Sequence, residues 1–165
     1  MNEGKLVAIE GPDTSSLTYY TRILADYLMI NNIPVVVFQE PTIGPIGVHI
    51  KAYEESRIDY HPLPLSILRL ADRLDQQTLK KDGVLSYLAS GVTVIKIHYL
   101  LTAYTEFGDA ISLDWLKQIN NICNKPDIIL YHEPENDLNN LYSALTKKYT
   151  YALENCPEFA EKLSI

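Results

Sequence analysis

The chain has 165 residues, 47% of them hydrophobic and 21% charged, a balance that suits one domain built on one core. A formal charge of −7 speaks against nucleic acid as the main partner, and no apolar run reaches the roughly eighteen residues that a membrane span needs. Cys123 and Cys156 have no metal or redox spacing, and residues 1–5 run straight into an apolar strand without a leader, so the expected setting is the cytoplasm.

Residues 5–10 form a short β-prone run that stops at Gly11 and reads as a buried strand. Leu17, Tyr20, Leu24, Tyr27 and Leu28 then recur at helical spacing as far as Asn31 and Asn32. Pro34 opens a second strand over residues 35–38. The loop after it is rich in breakers (Pro41, Gly44, Pro45 and Gly47), and residues 46–57 read as a short helix. Pro62 and Pro64 introduce a longer helix with Ile67, Leu70, Ala71 and Leu74 on its inner face. Gly83 interrupts it before residues 84–90 resume, and Gly91 releases a third strand over residues 92–97. Ser112 can cap a helix through Cys123. Pro126 and Asp127 lead a fourth strand over residues 128–131, and a last helix over 138–155 and a fifth strand over 159–165 complete the pattern. Apolar strands alternating with amphipathic helices predict an α/β fold, one domain over residues 1–165 with a parallel sheet of about five strands and helices on both faces.

In such sheets a ligand lies beyond the carboxyl ends of the strands. The first strand-to-helix turn reads Gly11-Pro12-Asp13-Thr14-Ser15-Ser16-Leu17-Thr18. A phosphate-binding loop needs Gly, four residues, Gly, Lys, then Ser or Thr. Gly11 and Thr18 stand at the ends of that frame, with Ser16 at the second glycine and Leu17 at the lysine. The glycine lets backbone amides turn inward onto phosphate oxygens, and the lysine neutralises charge as the phosphoryl group departs. Leucine can do neither, and losing one such electrostatic group costs about 3–4 kcal/mol in the transition state. The helix N-terminus still offers free amides for weak anion binding. A plain strand–turn–helix connection has the same pattern, and the frame alone does not decide between the two. His49, His61, His98 and His132 lack ligand spacing, so no metal site is expected.

Further motifs follow in order. They are Gln39-Glu40-Pro41-Thr42 with Gly44-Pro45-Ile46-Gly47, Leu70-Ala71-Asp72-Arg73, Tyr99 with Thr102 and Gly108, Ser112-Leu113-Asp114-Trp115, and Lys125-Pro126-Asp127. Together with Ile9-Glu10-Gly11-Pro12-Asp13 they resemble the thymidylate kinase family, from Lys5 to about Asp127 and more faintly beyond. The resemblance implies a three-layer P-loop kinase-type fold. It puts Leu17 where that family has the loop lysine, Gln39 at the arginine before Glu-Pro, and Arg69 at the aromatic that stacks on thymine. Ile97 and His98 fall on the Asp-Arg of its Asp-Arg-Tyr motif, and Phe107 on the glutamine that reads the base.

The positions retained are Asp13, Thr18, Glu40, Arg73, Tyr99 and Thr102. By resemblance, Gly11, Asp13, Ser15, Ser16 and Thr18 are the remnant of the cofactor loop. Glu40, Arg73, Tyr99 and Thr102 are the substrate side, with Arg73 on the phosphate of a nucleoside monophosphate. Asp13, Thr18, Arg73 and His98 are the vestiges of the catalytic set. Arg73 reads equally well as a solvated helix arginine beside Asp72, and His98 as a neutral histidine hydrogen-bonded in a loop. The family also closes an Arg-rich lid over ATP. Here Tyr131 to Asp137 lead almost at once into Leu138, and no arginine follows Arg73, so a missing lid is the expected reason for the short chain.

The expectation is a thymidylate kinase-like protein without phosphoryl transfer, a pseudokinase with a binding, regulatory or assembly role. No cofactor is expected, and Mg·ATP would be the cofactor if nucleotide binding persists. Partners are expected to be a second copy or an intact relative, meeting residues 46–57 and 64–81, with a nucleotide as a weak ligand and neither nucleic acid nor membrane. The alternative is a divergent nucleoside monophosphate kinase acting on dTMP or a related nucleotide, with Lys5 or Lys96 replacing the lost lysine. A nucleotide sensor without turnover is the third reading.

Overall fold

A computed structural model of the chain describes residues 4–55 and 61–132. The strands are β1 (Leu6–Glu10), β2 (Val35–Gln39), β3 (Thr93–Ile97) and β4 (Ile128–Tyr131), and the helices are α1 (Thr14–Ile30), α2 (Pro45–Glu55), α3 (Pro62–Thr78), α4 (Val84–Ala89), α5 (Leu100–Phe107) and α6 (Leu113–Asn120). The four strands make one parallel sheet in the order β2-β3-β1-β4, with Ala8 beside Lys96 and Ile129. The expected fifth strand and last helix, the lid segment from Glu133 and Cys156 all lie outside the described residues.

Strand residues alternate between two faces. Val7, Ile9, Ile95 and Ile97 face α1 and pack on its Leu17 and Ala25. Leu6, Ala8, Val94 and Ile129 face the other way, toward Ile50 of α2, Leu65 of α3, Val84 of α4, α5 and Leu116 of α6. The sheet is therefore covered on both faces, as parallel sheets are. Glu10 and Lys96 continue the second face past its apolar rows, so that face becomes polar while still buried at its carboxyl end.

Three details differ from the sequence expectation. Ile67 is 48% exposed rather than inward, and the buried stripe of α3 is instead Leu65, Ser66, Asp72, Arg73, Gln76 and Gln77. The helix turns its polar side inward because it packs beside that polar end of the sheet. In α1, Tyr20 and Tyr27 are exposed, while Leu17, Thr21 and Ala25 form the buried line. Ser112 occupies the N-cap of α6 without a side-chain capping bond. The helix α5 buries Leu100, Leu101, Ala103, Tyr104, Thr105 and Phe107 and leaves Glu106 exposed.

Candidate functional site

Only Gly11, Pro12 and Asp13 separate β1 from α1, because helical structure begins at Thr14. Gly11 has φ 155°, and a Cβ there would lie 2.5 Å from the carbonyl oxygen of His132, so the turn admits no side chain. Asp13 is the N-cap. Its Oδ1 accepts from the Ser15 amide at 3.1 Å, and its Oδ2 accepts from the Ser16 amide at 3.3 Å and from the Ser16 hydroxyl at 2.5 Å. The Ser16 hydroxyl, and then the two amides, hold this carboxyl below its usual range despite some desolvation. Leu17 is fully buried in the core under α1. Thr18 is exposed, and its hydroxyl donates to the Thr14 carbonyl at 2.8 Å.

A cavity of about 460 Å³ opens at the carboxyl ends of the strands. Gly11, Pro12 and Thr14 form one wall and Gln39, Glu40 and Pro41 a second; Arg69, His98, Thr102, Thr105 and Glu106 complete it. The volume suits a small-molecule site.

Beneath the cavity lies a buried ionic cluster. Arg73 is 2% exposed, and its Nε donates to both Glu40 oxygens at 2.9 and 3.1 Å while its Nη2 meets Oε2 at 2.5 Å. Its Nη1 donates to Asn120 at 2.5 Å, and the guanidinium carbon sits 5.1 Å from the Tyr99 ring centre. The Lys96 ammonium is 3.1 Å from Glu40 and also donates to Gln76. Burial alone would raise the Glu40 carboxyl, but Arg73 and Lys96 outweigh it and bring it down to about 2. Burial pulls the Lys96 ammonium down, against the attraction of Glu40. Asp72 works beside this cluster: its oxygens accept from the Thr42 amide at 2.8 Å and the Thr42 hydroxyl at 2.6 Å. The Ala-Asp-Arg and Glu-Pro segments thus clamp each other, and the Glu40–Pro41 peptide is cis.

Glu10 is also buried. It accepts from the Leu101 amide at 3.1 Å, the Thr102 amide at 3.2 Å and the Thr102 hydroxyl at 2.6 Å, at the start of α5. Burial pushes its carboxyl up to about 7, and these hydrogen bonds only partly oppose that. His98 has φ 56°, a strained conformation for a non-glycine residue, and stands between two hydroxyls. Its Nδ1 is 3.1 Å from Thr102 Oγ1 and its Nε2 is 2.9 Å from Thr14 Oγ1. Burial, and then Arg69, lower its pKa, so it is a neutral ring at pH 7.

Arg69 enters from α3. Its Nη2 is 2.5 Å from Glu54 and 3.0 Å from Glu106. Burial, reinforced by Glu54, raises the Glu106 carboxyl against the pull of Arg69. Among the described residues no group of three His, Cys, Asp or Glu side chains is placed to hold a metal ion, and no helix is long and apolar enough to cross a membrane.

Of the residues singled out by sequence, Gly11, Glu40, His98 and Thr102 meet at the cavity. Asp13, Ser15 and Ser16 form a closed cap beside it, and Thr18 points along α1. Arg73 and Tyr99 are buried below, with Tyr99 donating through its hydroxyl to the Asn124 carbonyl at 2.9 Å. Lys5 is paired with Asp127 at 3.3 Å just ahead of the first residue of β1, the end of that strand away from the cavity. Thr14, Thr105 and Glu106 were not singled out. The last two fall three and four residues after Thr102, one face of a helix, a signal that becomes readable once α5 is recognised.

A three-layer parallel sheet, with a glycine turn after its first strand and a cavity at the carboxyl ends, defines the class: a P-loop kinase fold. The thymidylate kinase family model matches residues 9–155, and the chain belongs to that family. A probable thymidylate kinase of Pyrococcus abyssi is 30% identical over 135 residues, covering 77% of this chain and 63% of that protein. The probable thymidylate kinase of Pyrococcus horikoshii is 27% identical, covering 77% of this chain and 63% of its own length, and human thymidylate kinase is 28% identical, covering 78% and 60%. The chain thus spans somewhat under two thirds of these relatives. The solved thymidylate kinase of Candida albicans superposes with a TM-score of 0.73 at 18% identity, covering 98% of this chain and 83% of that one. Members of the family use ATP and Mg²⁺.

Proposed function

We propose that this chain is a thymidylate kinase-family protein that does not transfer phosphoryl groups and that serves in binding, regulation or assembly. The observation that carries this reading is the self-capped first turn. The Ser15 and Ser16 amides, which a phosphate would need, already hold the Asp13 carboxylate. A phosphate placed there would have to displace a bound anion and then face it. The lysine position supports the same reading, since Leu17 is a core residue. Lys96 does not replace it, because its ammonium is buried on Glu40 and Gln76. The residues present therefore do not suit the triphosphate of Mg·ATP.

A second copy is the proposed partner. Val48 on α2, with Leu63, Ile67 and Leu68 on α3, leaves apolar side chains exposed on two packed helices. The buried free thiol of Cys123 suits a cytoplasmic setting, which belongs to the same proposal. Calorimetric titration with Mg·ATP at near-physiological salt tests the reading of the loop. No heat is expected, and binding at micromolar concentration contradicts it.

A further inference from the structure

Four side chains from separate parts of the chain form one line of hydrogen bonds across the carboxyl end of the sheet. Glu10 ends β1, Thr102 lies in the first turn of α5, His98 follows β3, and Thr14 opens α1. The Thr102 hydroxyl is 2.6 Å from Glu10 Oε2, and His98 Nδ1 is 3.1 Å from that hydroxyl. At the far end, His98 Nε2 is 2.9 Å from the Thr14 hydroxyl. The left-handed backbone of His98, with φ 56°, sets the ring between the two hydroxyls.

The supply of donors fixes the direction of each bond. An ionised Glu10 can only accept, so the Thr102 hydroxyl gives its one hydrogen to Oε2. Its oxygen then faces His98 as an acceptor, and the neutral ring carries its proton on Nδ1. Nε2 is left bare and accepts from Thr14. A protonated Glu10 reverses the line. Its other partners are backbone amides, which only donate, so the new O–H has the Thr102 oxygen to give to. The Thr102 hydrogen turns to Nδ1, the ring proton sits on Nε2, and Nε2 donates to Thr14.

We infer that Glu10, Thr102, His98 and Thr14 form a proton-coupled switch, in which the ionisation of Glu10 sets the tautomer of His98 and, through it, whether the Thr14 hydroxyl on the cavity wall offers a lone pair or a hydrogen. The protein gains one proton, at Glu10. The ring releases its Nδ1 proton to water and takes one at Nε2, so it stays neutral. Burial places the Glu10 carboxyl at about 7, while burial and then Arg69 hold His98 below its usual range, so the acid titrates where the ring does not charge. Other groups face the line from each neighbouring element. Tyr99 beside Glu10 is pushed up by burial, and Glu40 after β2, at about 2, keeps its charge. Arg69 of α3 is held by Glu54 of α2 and by Glu106 of α5, and His132 after β4 acts on Asp13.

The test is long-range proton–nitrogen NMR of the histidine rings in the 15N-labelled full chain, at about pH 6 and pH 8.5. The His98 signals are identified by their loss in His98→Asn, which tolerates the left-handed backbone. The Nδ1–H tautomer is expected at the higher pH and the Nε2–H tautomer at the lower, with a midpoint of about 7. Glu10→Gln puts an N–H donor in place of the acid proton and is expected to hold the Nε2–H tautomer at both. Thr102→Val breaks the line and is expected to make the His98 tautomer independent of pH, with an unchanged circular dichroism spectrum; this also separates the switch from any titration of Glu106. One tautomer at both pH values, a ring that gains a second proton instead of changing tautomer, or a Thr102→Val protein whose ring still follows pH would overturn the inference. None of these outcomes bears on phosphoryl transfer, so the proposed function stands or falls separately.

Discussion

Glu10 and Glu40 are both buried carboxyls at the cavity end of the sheet, and their surroundings push them in opposite directions. Burial raises the Glu10 pKa from 4.5 to about 7 on folding, and its neutral hydrogen-bond donors only partly oppose that. Its stabilising contribution is fully present below pH 4.5 and is lost as the pH climbs through 7, a change of about 3 kcal/mol. Glu40 has two cations, so its pKa falls to about 2, and its contribution holds above pH 4.5 and is lost as the pH drops toward 2. Together the two place the stability optimum near pH 4.5. Urea denaturation from pH 3 to 8 checks this, and Glu10→Gln is expected to flatten the fall on the alkaline side. Arg73→Ala is expected to cost about 3–5 kcal/mol, because Glu40 stays buried with Lys96 as its remaining cation. A small loss would mean that Arg73 is held less tightly than its hydrogen bonds indicate. From the sequence, Arg73 read as either a phosphate clamp or a solvated side chain. Neither reading foresaw a buried role, since a lone Asp-Arg pair does not name Thr42 and Glu40, some thirty residues away, as its partners.

At the scale of elements, the first turn and α1 decide the matter. Asp13→Ala removes the cap and is expected to destabilise the protein by about 1 kcal/mol, read from the denaturation midpoint. Leu17→Lys puts the family's residue back at its position in the sequence, yet that position faces the core. The expected result is a loss of about 3 kcal/mol and no gain in nucleotide binding, measured by denaturation and calorimetry. A stable, ATP-binding Leu17→Lys protein would show that α1 can rewind at its start. The missing glycine and lysine were legible from Ser16 and Leu17. The early start of α1 was not, because Thr14-Ser15-Ser16 suits a loop as well as a first helical turn. The helix α5 was hidden for a different reason: its polar face is only Thr102, Thr105 and Glu106, and eight residues are a short window in which to read a helical period.

For the whole molecule, the alternation of strands and helices carried the architecture. Apolar runs as clear as Leu6–Glu10 and Thr93–Ile97 leave few other folds open. The cavity is harder to read, since its walls come from the turn after β1 and the start of α1, the end of β2 and its loop, His98 after β3, α3 and α5, and their meeting depends on the sheet order. Sedimentation velocity is expected to show a dimer, and Ile67→Glu to shift it to monomer without loss of fold. A monomer at all concentrations would remove the assembly reading. The most direct measurement is transfer of labelled γ-phosphate from ATP to dTMP, with the protein in excess and Mg²⁺ present. No labelled dTDP above the uncatalysed background is expected. Its formation by the purified chain would contradict the loss of phosphoryl transfer.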